Sequence, residues 1–128
     1  MENDTRIQHV ALECASQQQA DTFFFKVFGI PKVKSTTLSK EIGSSIFQID
    51  HAVQMETYDN GKARFEVFIT PEPRKLSFSH IGMEVGNKTD FVARCQAHGL
   101  KPFFIQKEGK QLLFVRDFSE NLFEVLEG

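Results

Sequence analysis

Hydrophobic and polar residues alternate over several short stretches of this chain, and one alternating stretch occurs twice. Residues 7–13 read IQHVALE, and residues 78–84 read FSHIGME. A second pair of matching stretches, RFEVFI at 64–69 and LFEVLE at 122–127, shares the core Phe-Glu-Val. Because alternation is typical of half-buried strands, the pattern predicts two duplicated modules, each opening on a histidine strand and closing on a glutamate strand.

The first half is predicted to contain a strand, a helix and three further strands. Apolar residues recur at helical spacing from Gln17 to Phe28, after the N-cap candidate Ser16 and before Gly29. The pair Asn60-Gly61 is typical of two-residue hairpin turns. The predicted strands cover Arg6 to Leu12, Lys32 to Leu38, Ala52 to Tyr58 and Ala63 to Thr70.

Residues 39–49 allow two interpretations. Ser39 is a suitable N-cap for a short helix that would carry Ile42, Ile46 and Phe47 on one side. A strand over Ser44 to Ile49 fits the same residues. The sequence by itself leaves both open.

The second half repeats the order of strand, helix and three strands. Its helix is predicted over Thr89 to His98, capped by Asn87 or Thr89 and ended by Gly99. Residues 71–76 contain two prolines and three charges and are linker-like. We therefore predict one domain over residues 1–128, made of modules 1–70 and 77–128. The predicted strands of the second module cover Ser77 to Val85, Pro102 to Lys107, Gln111 to Asp117 and Leu122 to Glu127.

Composition limits the partners that the chain can have. The net charge is −2, so no basic surplus is present for binding nucleic acid or an anionic membrane. No apolar run approaches the ~20 residues of a membrane span, and residues 1–6 are polar, which predicts a cytoplasmic protein. With 14 Phe, one Tyr and no Trp, Phe is the expected core aromatic. Cys14 and Cys95 lack metal or disulfide spacing and are predicted to be reduced.

Strand parity predicts where the most reactive side chains point. Neighbouring residues of a strand face opposite sides, so Phe65 would pack on the helix and Glu66 would face away from it. The same alternation predicts that the side chains of His9, His80 and Glu124 also face away from the helices, on the side of the sheet that we call open. Imidazole nitrogen and carboxylate oxygen suit a divalent first-row metal and leave positions for water or substrate. We therefore predict that these two histidines and two glutamates form a metal site.

The opening motifs IQHVALE and FSHIGME, the closing motifs RFEVF and LFEVL, and the repeated element order resemble the vicinal oxygen chelate superfamily. That group includes glyoxalase I, methylmalonyl-CoA epimerase, fosfomycin-resistance enzymes, extradiol dioxygenases and bleomycin-resistance proteins. The resemblance covers the whole chain, although Phe118-Ser119-Glu120 stands where the family usually has Pro-Asp-Gly. It implies an α+β fold in which two βαβββ modules form a cupped eight-stranded mixed sheet with helices on the outer face.

The resemblance also implies a function. The family's metal ligands lie on the first and last strand of each module and carry over to the same four residues, a set similar to that of bacterial glyoxalase I. The implied cofactor is a divalent ion, with nickel, cobalt, zinc, manganese and iron not distinguished. Glu124 or Glu66 would remove a proton next to a carbonyl group of a small-molecule substrate. Lys107 and Arg116 are the candidate substrate-binding residues, and a homodimer is expected.

Other functions stay open at this point. A metal-free protein of the bleomycin-resistance type would use a Phe-rich cavity to bind an apolar or aromatic ligand. The epimerase usually has Gln at the second ligand position, and a dioxygenase would use iron with two histidines and one carboxylate. The sequence does not decide whether the modules pair within one chain or across a dimer.

Overall fold

The computed structural model describes residues 6–72 and 79–128, and within them the chain forms eight strands and three helices. No helix in these residues is long and apolar enough to cross a membrane, and the cytoplasmic location stays a prediction. Ser77, Phe78 and residues 73–76 of the predicted linker lie outside the described residues. In chain order the elements are β1 (Val10–Cys14), α1 (Gln17–Ala20 continued by Asp21–Val27), β2 (Lys32–Leu38), α2 (Lys40–Phe47), β3 (Val53–Asp59), β4 (Arg64–Ile69), β5 (His80–Val85), α3 (Lys88–Ala97), β6 (Phe103–Lys107), β7 (Lys110–Arg116) and β8 (Leu122–Glu127).

The strands form two sheets that repeat one order. The first sheet is β1-β4-β3-β2 and the second is β5-β8-β7-β6. In each module the first and last strands pair in parallel, with Ala11 opposite Glu66 and Gly82 opposite Glu124. The other neighbours are antiparallel. This repetition confirms the predicted α+β fold, with the eight described strands divided into two four-stranded mixed sheets.

N-cap residues begin the three helices where the sequence predicts them. A side-chain oxygen at an N-cap satisfies an amide that the first helical turn leaves without a partner. Because Ser39 makes such a cap, residues Lys40–Phe47 are helical, and the alternative strand over Ser44 to Ile49 is wrong. The three cap oxygens accept backbone hydrogen bonds from the residue three positions later: Ser16 from Gln19 (3.1 Å), Ser39 from Ile42 (3.2 Å) and Asn87 from Asp90 (2.8 Å).

The predicted hairpin at Asn60-Gly61 is confirmed. Asn60 Oδ1 accepts hydrogen bonds from the backbone nitrogens of Lys62 (2.9 Å) and residue 63 (2.8 Å). Gly61 has a φ of +85°, a left-handed conformation that glycine adopts without a Cβ clash. Below the turn, Arg64 Nη1 donates to Asp59 Oδ2 at 2.9 Å across the two strands. This hydrogen bond holds the Arg64 guanidinium on Asp59, and Arg64 precedes Glu66 by two residues on β4.

Helix α1 differs from the regular α-helix that its apolar spacing predicts. From Asp21 onward it is a π-helix, and Phe28 N donates to Phe23 O at 3.1 Å across five residues. The wider turn accommodates the consecutive rings of Phe23 and Phe24, both of which are fully buried. Gly29, with a φ of +79°, ends the helix at the predicted residue.

One aromatic core fills the helix side of both sheets. Phe123 of the second module lies 5.0 Å from the ring of Phe23 and 6.3 Å from that of Phe65, both in the first module. Arg94 of α3 adds a hydrogen bond from Nε to Val27 O of α1 at 2.9 Å. The two modules therefore share one core, with α1 and α3 on the outer face as predicted.

Helix α2 lies on the open face of the first sheet, opposite the face that α1 covers. Its Phe47 packs on Phe68 with ring centroids 5.6 Å apart, and Phe68 has the opposite strand parity to the buried residues Phe65 and Val67. In the second module the two-residue turn Glu108-Gly109 connects the equivalent strands. The open faces of the two sheets are therefore covered differently.

The turn before β8 is hydrogen-bonded to β1 and to the residue that follows β1. The buried Asp117 carboxylate accepts from the backbone nitrogens of Ser119 and Asn121, both at 2.9 Å, and from Asn121 Nδ2 at 2.8 Å. Asn121 Nδ2 also donates to Glu13 O at 3.0 Å, and Ser119 Oγ accepts from Ala15 N at 2.9 Å. Burial raises the pKa of Asp117 in spite of these hydrogen bonds. Ser119 and Asn121 of this turn thus connect the second half of the chain to residues 13 and 15 of the first half.

A buried carboxylate lies between α1 and strands β2 and β3. Glu56 is fully buried and accepts hydrogen bonds at 2.8 Å from Lys32 Nζ, Ser35 Oγ and Gln54 Nε2. Burial by itself would raise the pKa of Glu56. The hydrogen bonds from these three residues, together with the lysine charge, outweigh burial and lower the pKa below its ordinary value.

Replacing Glu56 with Gln should destabilise the protein at neutral pH by about 1–3 kcal/mol, because the amide loses charge-assisted hydrogen bonds. Since the pKa is lowered on folding, the ionised carboxylate stabilises the fold above the ordinary glutamate pKa, and this contribution is lost as the pH falls through the folded-state value. The difference between wild type and Glu56→Gln should therefore shrink below pH 4.5. Denaturant unfolding at neutral pH and at about pH 3 measures it, with the exposed Glu72→Gln as control. An equal difference at both pH values would contradict this role.

Candidate metal centre

The first predicted pair of ligands lies together at the open face of the first sheet. His9 directly precedes β1, which begins at Val10 instead of Arg6, and Glu66 is the third residue of β4. His9 Nε2 lies 3.5 Å from Glu66 Oε1. The side chains are 41% and 21% exposed, so water or an ion can reach both.

Gln8 orients the His9 ring. Gln8 Oε1 lies 2.5 Å from His9 Nδ1, and because a carbonyl oxygen only accepts, His9 Nδ1 donates this hydrogen bond. A neutral imidazole that donates from Nδ1 has a lone pair at Nε2. In this tautomer the lone pair at Nε2 faces the Glu66 carboxylate. An ionised carboxylate is likewise only a hydrogen-bond acceptor. A cation or a proton between these two acceptors, which are 3.5 Å apart, would satisfy both. Metal-bound histidines are commonly oriented by a hydrogen bond from the other ring nitrogen, as Gln8 orients His9.

The second predicted pair occupies the equivalent position of the second sheet. His80 begins β5, and Glu124 is the third residue of β8. His80 Nε2 lies 4.0 Å from Glu124 Oε1, and the side chains are 46% and 27% exposed. The parity argument is correct for both glutamates, because the residues on either side of each one are buried in the core: Phe65 and Val67 beside Glu66, Phe123 and Val125 beside Glu124.

Within one chain, the two pairs do not form a single cluster. Among residues 6–72 and 79–128, no group of three or more His, Cys, Asp or Glu side chains is close enough to hold one ion. A catalytic zinc-type site usually has three protein ligands and an open position. The donor chemistry of each pair fits a divalent ion, and each pair contains two of the three protein ligands that such a site would need.

The predicted substrate-binding residues lie at unequal distances from these pairs. Arg116, near the end of β7, lines a cavity of about 200 Å³ together with His80 and residues of β1, and its Nη1 donates to Glu120 O at 3.0 Å. Lys107 is exposed at the end of β6, which lies at the opposite edge of the second sheet from β5. The structure therefore brings Arg116 near His80 and does not bring Lys107 there.

A larger apolar cavity lies under α2 on the open face of the first sheet. Its volume is about 270 Å³, which is near the lower end for small-molecule sites. Phe47 of α2 and Phe68 of β4 line it, and Glu13 and His51 add polar groups. The sequence reasoning missed this cavity because it depends on which side of the sheet α2 covers.

Two further polar residues missed by the sequence reasoning lie beside Glu66. Arg64 has the same strand parity, and its Nε lies 3.9 Å from Glu66 Oε2. Thr57 is fully buried and stands directly opposite Glu66 in the pairing of β3 with β4. Parity counting would have found Arg64, whereas Thr57 required the strand register.

Comparison with known proteins identifies the fold. A glyoxalase family protein from Bacillus cereus is similar with a TM-score of 0.76 and 19% identity over 98% of this chain and 95% of that one. A glyoxalase family protein from Enterococcus faecalis matches with a TM-score of 0.72 and 17% identity over 95% and 97% of the two chains. Neither a protein-family model nor a curated protein matches the sequence.

Fosfomycin-resistance proteins share the same architecture. A variant of FosX from Listeria monocytogenes, complexed with Mn(II) and 1S,2S-dihydroxypropylphosphonic acid, matches with a TM-score of 0.74 and 14% identity over 97% and 93% of the two chains. These similarities confirm the resemblance drawn from the duplicated motifs. The chain has the fold that these glyoxalase family and FosX proteins share.

Proposed function

We propose that this protein is a metal-dependent lyase or isomerase of the glyoxalase I type, which abstracts a proton next to a carbonyl group. The observation that carries the proposal is the repeated His–Glu pair, His9 with Glu66 and His80 with Glu124, on an accessible face in both modules. A histidine that is simply solvated on a strand would not require a carboxylate facing it. The presence of such a carboxylate in both modules therefore supports a shared role for the pairs. The Mn(II) bound to FosX supports a divalent ion for this architecture.

A second copy of the chain would complete the site. If the open face of one chain's first module met the open face of the partner's second module, His9 and Glu66 would join the partner's His80 and the partner's Glu124. A two-fold axis would create two equal sites. Exposed apolar residues support association, since Phe103, Phe104 and Ile105 on the edge strand β6 are 38%, 46% and 47% exposed.

Each ligand residue has a distinct task in this proposal. A divalent ion held by these residues would supply Lewis-acid stabilisation for the negative charge that develops on the substrate oxygens. His9 and His80 would hold that ion through neutral ring nitrogens. Glu124 would take the proton from the carbon next to the carbonyl as general base, with Glu66 as the alternative base. Arg116 is the better placed of the two predicted substrate contacts for an anionic group, and Lys107 stays a prediction.

Metal content and oligomeric state test the proposal together. Protein purified without chelator and supplied with nickel, cobalt, zinc or manganese should bind about one ion per chain and sediment as a dimer. His9→Ala and His80→Ala should each lose most of the metal, whereas His98→Ala, at the end of α3, should keep it. Turnover is then measured with methylglyoxal and glutathione. A metal-free 14.6 kDa species under every condition would overturn the proposal.

The cavity under α2 favours a second candidate, a metal-free binding protein of the bleomycin-resistance type. Its aromatic lining by Phe47 and Phe68 suits a compact apolar or aromatic ligand. Indole is a suitable probe, since its binding can be followed in the presence of a chelator. Unchanged indole affinity after metal removal, lost in Phe68→Ala, would favour this candidate, provided that the wild type also binds no metal.

A further inference from the structure

The two glutamates of the proposed site have different neighbours, although their motifs are repeats. Glu66 has Arg64 two residues earlier on the same face and Thr57 opposite on β3. At the equivalent positions of the second module, Glu124 has Leu122 and Phe114. The Phe114 ring stacks on that of Phe103, with centroids 5.6 Å apart. Polar donors therefore accompany the first glutamate, and apolar side chains accompany the second.

The donors beside Glu66 are unusual because they lack partners. Among the described residues, Thr57 Oγ1 and Arg64 Nε are buried polar atoms that make no hydrogen bond. Buried polar atoms are nearly always hydrogen-bonded, and exceptions call for an explanation such as a bound water or ion, or a second position of a neighbouring side chain. Arg64 is held by the 2.9 Å hydrogen bond from its Nη1 to Asp59, so its Nε is already directed by a fixed guanidinium.

The Glu66 carboxylate neighbours both orphan donors on the sheet, with Arg64 two residues earlier on β4 and Thr57 directly opposite on β3. Its Oε2 lies 3.9 Å from Arg64 Nε, just beyond hydrogen-bond length, and directly opposed strand residues have Cβ atoms only ~5 Å apart. A small rotation of the Glu66 side chain would bring Oε2 toward both donors. Its Oε1 already faces His9 Nε2 at 3.5 Å. One oxygen would then be held by the protein while the other faces the ion.

We propose that Thr57 and Arg64 are positioning residues that hold the Glu66 carboxylate for metal binding, and that this support exists only in the first module. The inference rests on the proposed function. Glu66 would then be the better oriented ligand, because these donors would hold one carboxylate oxygen while the other oxygen faces the ion. Glu124, beside Leu122 and Phe114, keeps more rotational freedom.

The Thr57 hydroxyl gives the sharper test, because Val has nearly the same shape and lacks the donor. Mn(II) titration should show about 10-fold weaker binding for Thr57→Val than for wild type, in the range observed for groups that support metal ligands. Thr57→Ser should restore the wild-type affinity. Thr36→Val is the matched control, since Thr36 has the same parity on β2 opposite Met55 and should bind Mn(II) unchanged.

Thermal stability separates positioning from a structural role. Replacing an unpartnered buried hydroxyl by a methyl group removes a desolvated polar atom, so Thr57→Val should melt at or above the wild-type temperature while it binds Mn(II) more weakly. Arg64→Lys keeps the charge but lacks Nε, and it should also weaken Mn(II) binding about 10-fold. Wild type that binds no Mn(II) would overturn the proposed function and this inference together. Wild-type binding with equal affinity in Thr57→Val would overturn only this inference.

Discussion

Glu124→Gln should lower the turnover of the metal-loaded protein by about 100-fold or more, while its metal content falls only modestly. Glutamine keeps the shape of the side chain and one oxygen that can face an ion, but it cannot accept the substrate proton. This loss of a general base is expected to be among the largest functional effects of any conservative change in the chain.

The control for Glu124→Gln is Glu84→Gln. Glu84 lies on β5 with the same parity as His80 and is exposed, so it tests the effect of removing one negative charge from the same face. Turnover with methylglyoxal and glutathione, divided by the measured metal occupancy, is the quantity to compare. If the activity of Glu124→Gln falls only in proportion to its metal content, Glu124 is a ligand and not the base.

Phe123→Ala should destabilise the protein by about 4 kcal/mol, within the range for removing a buried aromatic ring from a core. Phe123 is fully buried, and its ring lies near those of Phe23 and Phe65 across the boundary between the modules. Because this ring joins both halves, wild type should unfold in one cooperative transition.

Denaturant unfolding measures this prediction, and Phe104→Ala is the matched control. Phe104 is 46% exposed on the edge strand β6, so its loss should cost less than about 1 kcal/mol in the dilute protein. Two separate transitions in wild type, or equal costs for the two substitutions, would show that the modules do not depend on the shared core.

Much of the local structure of this chain follows from its sequence. Lys32–Leu38 and Leu122–Glu127 are strands over the predicted residues, and Ser16, Ser39 and Asn87 cap helices as predicted. These features depend on side-chain periodicity and on hydrogen bonds within a few residues. The alternation of side chains along a strand also predicted correctly that Glu66 and Glu124 face away from α1 and α3.

Longer-range features were not predictable in this way. Sequence periodicity favours a regular helix up to Phe28, but the burial of both Phe23 and Phe24 in a core shared with Phe123 accompanies a π-helix. The side of the sheet covered by α2 depends on the contact of Phe47 with Phe68, which are far apart in the chain.

The sequence by itself determined the duplicated α+β modules and the open-face parity of the four candidate ligands, because alternation along a strand sets the face of each side chain. The tertiary structure decided how those ligands are grouped, as two His–Glu pairs in one chain, because the packing of the shared core sets the distance between the sheets. It also decided that Thr57 lies opposite Glu66, because strand register depends on how β3 and β4 pair.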